Sequence, residues 1–115
     1  MKWVRAVIRP FCLDDVVAAL DAMGIHRLTI TEVQEWCEQA GHAPADADEL
    51  FPEHEPKFVP HVQIDIAIPD ELCRQAVDAV TRCAARGRIG EGTVTVRRLQ
   101  SAMRIRTGET GEIAL

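Results

Sequence analysis

The sequence has no tyrosine, and aromatic residues make up only 4% of its 115 positions. Its four cysteines, Cys12, Cys37, Cys73 and Cys83, form no CxxC pair, which excludes the common dithiol redox and zinc motifs. Reduced thiols in a cytoplasm are the simplest interpretation. No apolar run approaches the ~20 residues that span a bilayer, and residues 1–5 lack the apolar stretch of a secretory signal. We therefore expect a cytoplasmic chain without direct membrane insertion.

The motifs that most often indicate an enzyme are also missing. The sequence has no Walker loop, no Rossmann fingerprint and no Ser/His/Asp pattern. His42, His54 and His61 lie in or beside a run of acids, but their spacings match no zinc motif, so no metal site is predicted. Cys37 has no evident base near it in sequence that would make it a nucleophile. The chain is predicted to be non-enzymatic.

Charge is abundant but unevenly distributed. The formal net charge of −5 argues against a general nucleic-acid binder, whose affinity rests on a net basic surface. Residues 38–57 hold six acids and one base, whereas residues 86–106 hold six arginines and one glutamate. Either run could be a solvated face. The arginine-rich run is the part of the chain that suits an anionic ligand.

Hydrophobic patterns predict four strands and two helices. In chain order they are a strand at 3–9, a helix at 13–23, strands at 27–36 and 61–68, a helix from 70 to Gly87, and a strand at 93–98. Asp70 is predicted to cap the second helix. Along 61–68, aliphatic residues alternate with His61, Gln63, Asp65 and Ala67, so one face is buried and the other carries polar groups.

This order predicts an α+β fold of the ferredoxin-like βαββαβ type, in one domain covering residues 1–115. It consists of an antiparallel four-stranded sheet with two helices on one face. The other face would be uncovered, and another copy of the protein could cover it. Residues 37–58 follow neither period and are predicted to form a long functional or disordered loop.

Two features suit a phosphate-bearing ligand. Glycines at 87, 90 and 92 space a turn that could point backbone N–H groups at an anion, with Arg88 beside them. Arg104 and Arg106 would project to the same side if that segment is extended. The turn could equally be a plain connector, and the arginines a surface pair. Together they favour an anionic ligand, most simply a nucleotide.

At this point the chain resembles the PII signal-transduction proteins. The similarity runs through MKWVRAVIRPFCLDDVVAALDAMGIHRLTITEVQ, VQIDIAIPDEL, GRIGEG and MRIRTGETGE, about four fifths of the chain. The resemblance implies a homotrimer that binds adenine nucleotides in clefts between subunits. It also implies a T-loop at about 37–58, a B-loop at about 86–93 and a C-terminal loop at about 102–115. The T-loop would signal to a protein target, an enzyme or a transporter in carbon or nitrogen metabolism.

The resemblance also implies which residues contact the nucleotide. Adenine and ribose would be surrounded by Leu28, Thr29, Asp65 and Ala67, with Val7 beneath. The phosphates would meet the B-loop residues Arg88, Ile89, Gly90, Glu91, Gly92 and Thr93, together with Arg104 and Arg106 from the neighbouring subunit.

Departures from the family pattern change the expected ligands. Thr93 replaces the usual basic residue that closes the B-loop, so we expect ADP or AMP to be preferred over ATP. Glu38 and His61 replace an arginine and a lysine, which disfavours 2-oxoglutarate. His61 and Gln39 leave room for a monoanion such as bicarbonate, as in carboxysome-associated relatives. Without tyrosine, uridylylation has no acceptor.

Two rival classes share the predicted fold. One is a metal-binding trimer of the CutA kind, which would use the histidines and acids of the long loop. The other is a small phosphate-transforming enzyme such as an acylphosphatase. The second lacks its glycine-rich loop after the first strand, because Arg9, Pro10 and Phe11 stand there.

Overall fold

A four-stranded antiparallel sheet carries two helices on one face. The computed structural model describes residues 1–37, 57–85 and 92–115, with only the backbone at 37 and 57. The elements are β1 (Lys2–Ile8), α1 (Leu13–Ala22), β2 (Thr29–Cys37), β3 (Lys57–Ile68), α2 (Asp70–Ala84) and β4 (Thr93–Arg98). The strand order is β2-β3-β1-β4, and every neighbouring pair is antiparallel. The predicted ferredoxin-like fold is confirmed.

Several predicted features lie outside the described residues. These are most of the T-loop, at 38–56, and most of the B-loop, at 86–91. Short 3-10 helices occupy Pro10–Cys12 and Gly111–Ala114. Neither α1 nor α2, nor any other helix in the described parts of the chain, is long and apolar enough to cross a membrane.

The core lies between the sheet and the helices. Alternate residues of β1 and β3 point to one side because successive side chains of a strand face opposite ways. Buried residues of this core include Val4, Ala6 and Ile8 from β1, Ile64, Ile66 and Ile68 from β3, Val16 and Leu20 from α1, and Ala76 and Val80 from α2. The pairing register therefore fixes which residues lie on the opposite, outer face.

The alternation predicted along β3 is present, but its polar residues are not all in solvent. His61 is 3% exposed and Asp65 is 6% exposed. Asp65 lies between its partners Arg5 of β1 and Thr29 of β2, whereas His61 lies just beyond the last β1 pair, where it lines a cavity with Pro10. Local periodicity shows which face a residue takes, but not how far its neighbours enclose it.

The second helix begins as predicted, but Asp70 does not cap it. Pro69 is the N-cap, and no side-chain hydrogen bond closes this end of α2. The Asp70 carboxylate instead lies 3.0 Å from the amino nitrogen of Met1 and 3.9 Å from Lys2 Nζ. The hydrogen bond from the ammonium group lowers the pKa of Asp70 from its usual 3.8. Asp70 thus ties the start of β1 to α2.

Candidate functional site

The pairing register gathers several of the predicted nucleotide contacts on the outer face of the sheet. Thr29 of β2 stands opposite Asp65 of β3, which stands opposite Arg5 of β1. In the adjacent row, Val7 is paired with both Gln63 and Thr93. The predicted contacts that share this face are Val7, Thr29, Asp65, Ala67 and Thr93.

Asp65 is the most tightly held of these side chains. Arg5 Nε donates to Asp65 Oδ1 at 2.7 Å, and Gln63 Nε2 donates to Asp65 Oδ2 at 3.0 Å. A buried carboxylate needs such partners because leaving it without them is costly. Both oxygens of the predicted ribose contact are therefore held by side chains on the same face.

A cleft of about 500 Å³ opens beside this row. Its lining includes the predicted adenine and ribose contacts Leu28, Thr29, Asp65 and Ala67. The other lining residues are Trp3, His26, Arg27, Ala102, Ala114 and Leu115. The structure thus brings together four predicted contacts from two distant segments of the sequence, next to the C-terminal loop.

Trp3 is a lining residue that the sequence reasoning missed. It is paired with Ala67, whose small side chain leaves the indole room, and its Nε1 has no hydrogen-bond partner among the described residues. The sequence already contained the signal for this position, because residues 3 and 7 of a strand point to the same face. Its apolar ring adds a large surface to the cleft.

The predicted arginine pair is not extended. Residues 105–107 form a turn, in which the amide of Gly108 (φ 75°) donates to the Arg104 carbonyl at 2.8 Å. Arg106 is exposed. Arg104 instead turns toward the chain that follows, where Nη2 donates to Ile113 O at 3.3 Å and to Leu115 O at 3.4 Å. The sequence analysis expected Arg104 and Arg106 to project to the same side only if this segment is extended. It is not extended, because Gly108, which has a positive φ, reverses the direction of the chain.

The B-loop joins β4 through Gly92, the first described residue after it. Gly92 has φ +132°, and a Cβ placed there would lie 2.8 Å from the Val7 carbonyl oxygen. Only glycine allows both that backbone conformation and that close approach. Gly92 and Thr93 therefore lie against Val7, whereas Arg88, Ile89, Gly90 and Glu91 lie outside the described residues.

His61, the predicted second-ligand residue, lies at the other end of the hairpin. It lines a cavity of about 600 Å³ together with Pro10, Glu32, Val33, Gln34, Pro60 and Val62. Nδ1 lies 3.0 Å from Val59 O and donates to it, since a carbonyl oxygen only accepts, and Nε2 lies 3.6 Å from Glu35 Oε2. The role of His61 in holding an anion such as bicarbonate stays a prediction. Gln39 lies outside the described residues.

Comparisons with known proteins complete this description. Residues 1–109 match the family model described as "Nitrogen regulatory protein P-II". The chain belongs to the P-II family. It is 44% identical to the nitrogen regulatory protein GlnK of Escherichia coli K12 over the whole of both chains. It is also 43% identical to a P-II protein of Bradyrhizobium diazoefficiens, with 96% of each chain covered.

A solved structure supports the same relationship. The crystal structure of Arabidopsis thaliana PII bound to citrate superposes with a TM-score of 0.76 at 27% identity, covering 99% of this chain and 91% of that one. The predicted family is confirmed, and the family model and the relatives named here are described as nitrogen regulatory proteins. The CutA-like alternative is not favoured. Among the residues that the structure describes, no group of three or more metal-ligating side chains occurs.

Proposed function

We propose that this P-II protein is a sensor of adenine nucleotides that binds them in the outer-face cleft. The observation that carries the proposal is the convergence of Leu28, Thr29, Asp65 and Ala67 on one cleft beside the loop that holds Arg104. The cleft offers apolar surface for a base and polar groups for a ribose, and the Arg104 guanidinium lies in the adjacent loop of the same chain. The proposal therefore takes Arg104 from the subunit that holds the adenine contacts, and not from its neighbour as the resemblance implies. That combination suits a nucleotide.

The proposed site lies between subunits of a homotrimer. The described residues that line the cleft do not include Val7, Gly92 or Thr93, although the resemblance assigns all three to the same nucleotide. A B-loop from a second copy would supply the missing phosphate side. The outer face of the sheet is the surface on which such copies would meet, since the helices occupy the other face.

ADP and AMP are the proposed preferred ligands. Thr93 is neutral and stands at the end of the B-loop, next to Val7. A site with one cation fewer stabilises the terminal phosphate of ATP less than a site with a basic residue there. The third phosphate then adds repulsion with less compensating attraction.

The proposed output is nitrogen regulation through a protein target, as the names of the relatives suggest. The hairpin of β2 and β3 ends in an exposed aromatic pair, Trp36 and Phe58, with ring centroids 5.1 Å apart in a T-shaped arrangement. Trp36 is 56% exposed and Phe58 is 50% exposed. This pair forms the base of the T-loop, and an enzyme or transporter would be the partner that the loop meets.

Isothermal titration calorimetry with ATP, ADP and AMP tests the nucleotide site. Arg104→Ala should weaken ADP binding by about 1.5 to 3 kcal/mol, which is roughly tenfold to a hundredfold. Arg82→Ala is the matched control, because Arg82 is an exposed arginine on α2 and does not line the cleft. Equal affinity of both variants and the parent chain would refute the assigned cleft. Light scattering of the same samples tests the trimer.

A further inference from the structure

Residues 111–115, which we call the strap, contribute two residues to the lining of the cleft. The strap consists of the short helix Gly111–Ala114 followed by Leu115. Ala114 is 6% exposed, and Ala114 and Leu115 both line the cleft together with Thr29 and Asp65. The strap therefore borders the space that a nucleotide would fill.

Two arginines hold the strap through its main-chain carbonyls. Arg27 Nη1 donates to Ala114 O at 3.4 Å, and Arg104 Nη2 donates to Ile113 O at 3.3 Å and to Leu115 O at 3.4 Å. All three bonds are longer than the usual range of about 2.7–3.2 Å for N–H···O hydrogen bonds. The acceptors on Ile113 and Ala114 are neutral peptide carbonyls, and at distances of 3.3 to 3.4 Å all three contacts are weak attachments.

Arg104 is at the same time the predicted phosphate contact. A guanidinium bonded to phosphate makes charge-assisted hydrogen bonds of about 2.7–2.9 Å, which are roughly twice as strong as bonds between neutral groups. Nη2 has two hydrogens, one for each strap carbonyl. This nitrogen cannot hold the strap and a phosphate in full at the same time, and the phosphate is the stronger acceptor.

We propose that the strap and the nucleotide phosphates compete for Arg104, so that nucleotide binding releases the strap. The inference rests on the proposed nucleotide site and adds a regulatory step to it. Because such coupling is reciprocal, a variant with a loosened strap binds nucleotide more tightly. Release also uncovers Ala114 and the neighbouring indole of Trp3, which changes the surface that a partner protein can meet.

Hydrogen–deuterium exchange on the unmodified chain gives the first test. The bonded amides of the strap include Gly111 N, which donates to Ala102 O at 3.0 Å, and Leu115 N, which donates to Glu112 O at 3.1 Å. Saturating ADP should speed exchange of the peptide that contains them about fivefold. Adenosine has the base and ribose but no phosphate, so it should leave that exchange unchanged.

Two neutral substitutions in adjacent strap residues give the second test. Ala114→Gln places a longer side chain at a buried position and should displace the strap. Ile113→Gln makes the same kind of change at a residue that is 65% exposed, so the strap should stay in place. We expect ADP affinity to rise roughly fivefold in Ala114→Gln, because ADP binding to this variant no longer has to break the two weak hydrogen bonds from Arg104 to the strap. In Ile113→Gln the ADP affinity should stay unchanged.

The outcomes separate this inference from the function on which it rests. If ADP binds but strap exchange stays the same or slows, the competition is wrong and the nucleotide site stands. If Ala114→Gln folds and binds ADP no more tightly than Ile113→Gln, the competition is again wrong. If neither ADP nor adenosine binds the unmodified chain, both proposals fall.

Discussion

Replacing Asp65 by asparagine tests whether the outer face of the sheet depends on its ion pair. Asp65 is 6% exposed and accepts from Arg5 Nε at 2.7 Å, whereas the Arg5 side chain is 39% exposed. A hydrogen bond to a charged group contributes about 1.5–3 kcal/mol, and breaking a fully buried pair costs about 3–5 kcal/mol. Because Arg5 reaches solvent, we expect Asp65→Asn to lower the free energy of unfolding by about 2 kcal/mol.

A double-mutant cycle separates the pair from the individual side chains. Arg5→Met keeps most of the apolar stem but removes the guanidinium. The two changes together should cost about 1.5 kcal/mol less than the sum of the single changes, because each single change already breaks the bond. Thermal and urea unfolding at one fixed protein concentration measure the cycle, since subunit association makes stability depend on concentration.

Arg97→Met provides the matched control for the cycle. Arg97 is an exposed arginine on the same face, paired with Trp3 on β1, so its loss should add to that of Asp65→Asn without coupling. The reasoning would be refuted if Arg5→Met and Asp65→Asn were also additive to within about 0.3 kcal/mol. Asp65 would then be held by burial rather than by its partner.

Three further predictions concern the B-loop and the start of α2. Gly92→Ala should lower the free energy of unfolding by about 1–3 kcal/mol and weaken ADP binding, since the added Cβ would clash with the Val7 carbonyl oxygen. Gly108→Ala is the control: its Cβ would have no atom within 4 Å, so it should lower the free energy of unfolding less, as measured by urea unfolding. Thr93→Lys should raise ATP affinity relative to ADP in calorimetry, and an unchanged ratio would show that this position does not face the terminal phosphate. The lowered pKa of Asp70 means that its contribution is present above pH 3.8 and is lost as pH falls through the folded-state pKa. Asp70→Asn should therefore lower the melting temperature at pH 6, and the loss should shrink as pH falls below 3.8. A loss of the same size at every pH would contradict the ion pair.

Local sequence patterns were sufficient to predict the order of the strands and helices. Strand and helix periods are local properties of the chain, so β4 was predicted at its observed bounds and the other elements within a few residues. The motifs that resemble PII proteins predicted the family, and the match to the P-II family model confirms that prediction. The same motifs named Leu28, Thr29, Asp65 and Ala67, which the fold places around one cleft.

The burial and the hydrogen-bond partners of individual residues became evident only from the three-dimensional structure. Arg5 and Asp65 lie 60 residues apart, and no local pattern indicates that they form an ion pair. His61 is buried and faces Glu35 because the register of β2 and β3 pairs it with Val33, two residues from Glu35 on the same face. Arg104 holds the strap because a glycine turn brings distant carbonyls within its reach. Burial and hydrogen-bond partners depend on which segments meet in space, and that is fixed only when the whole sheet has formed.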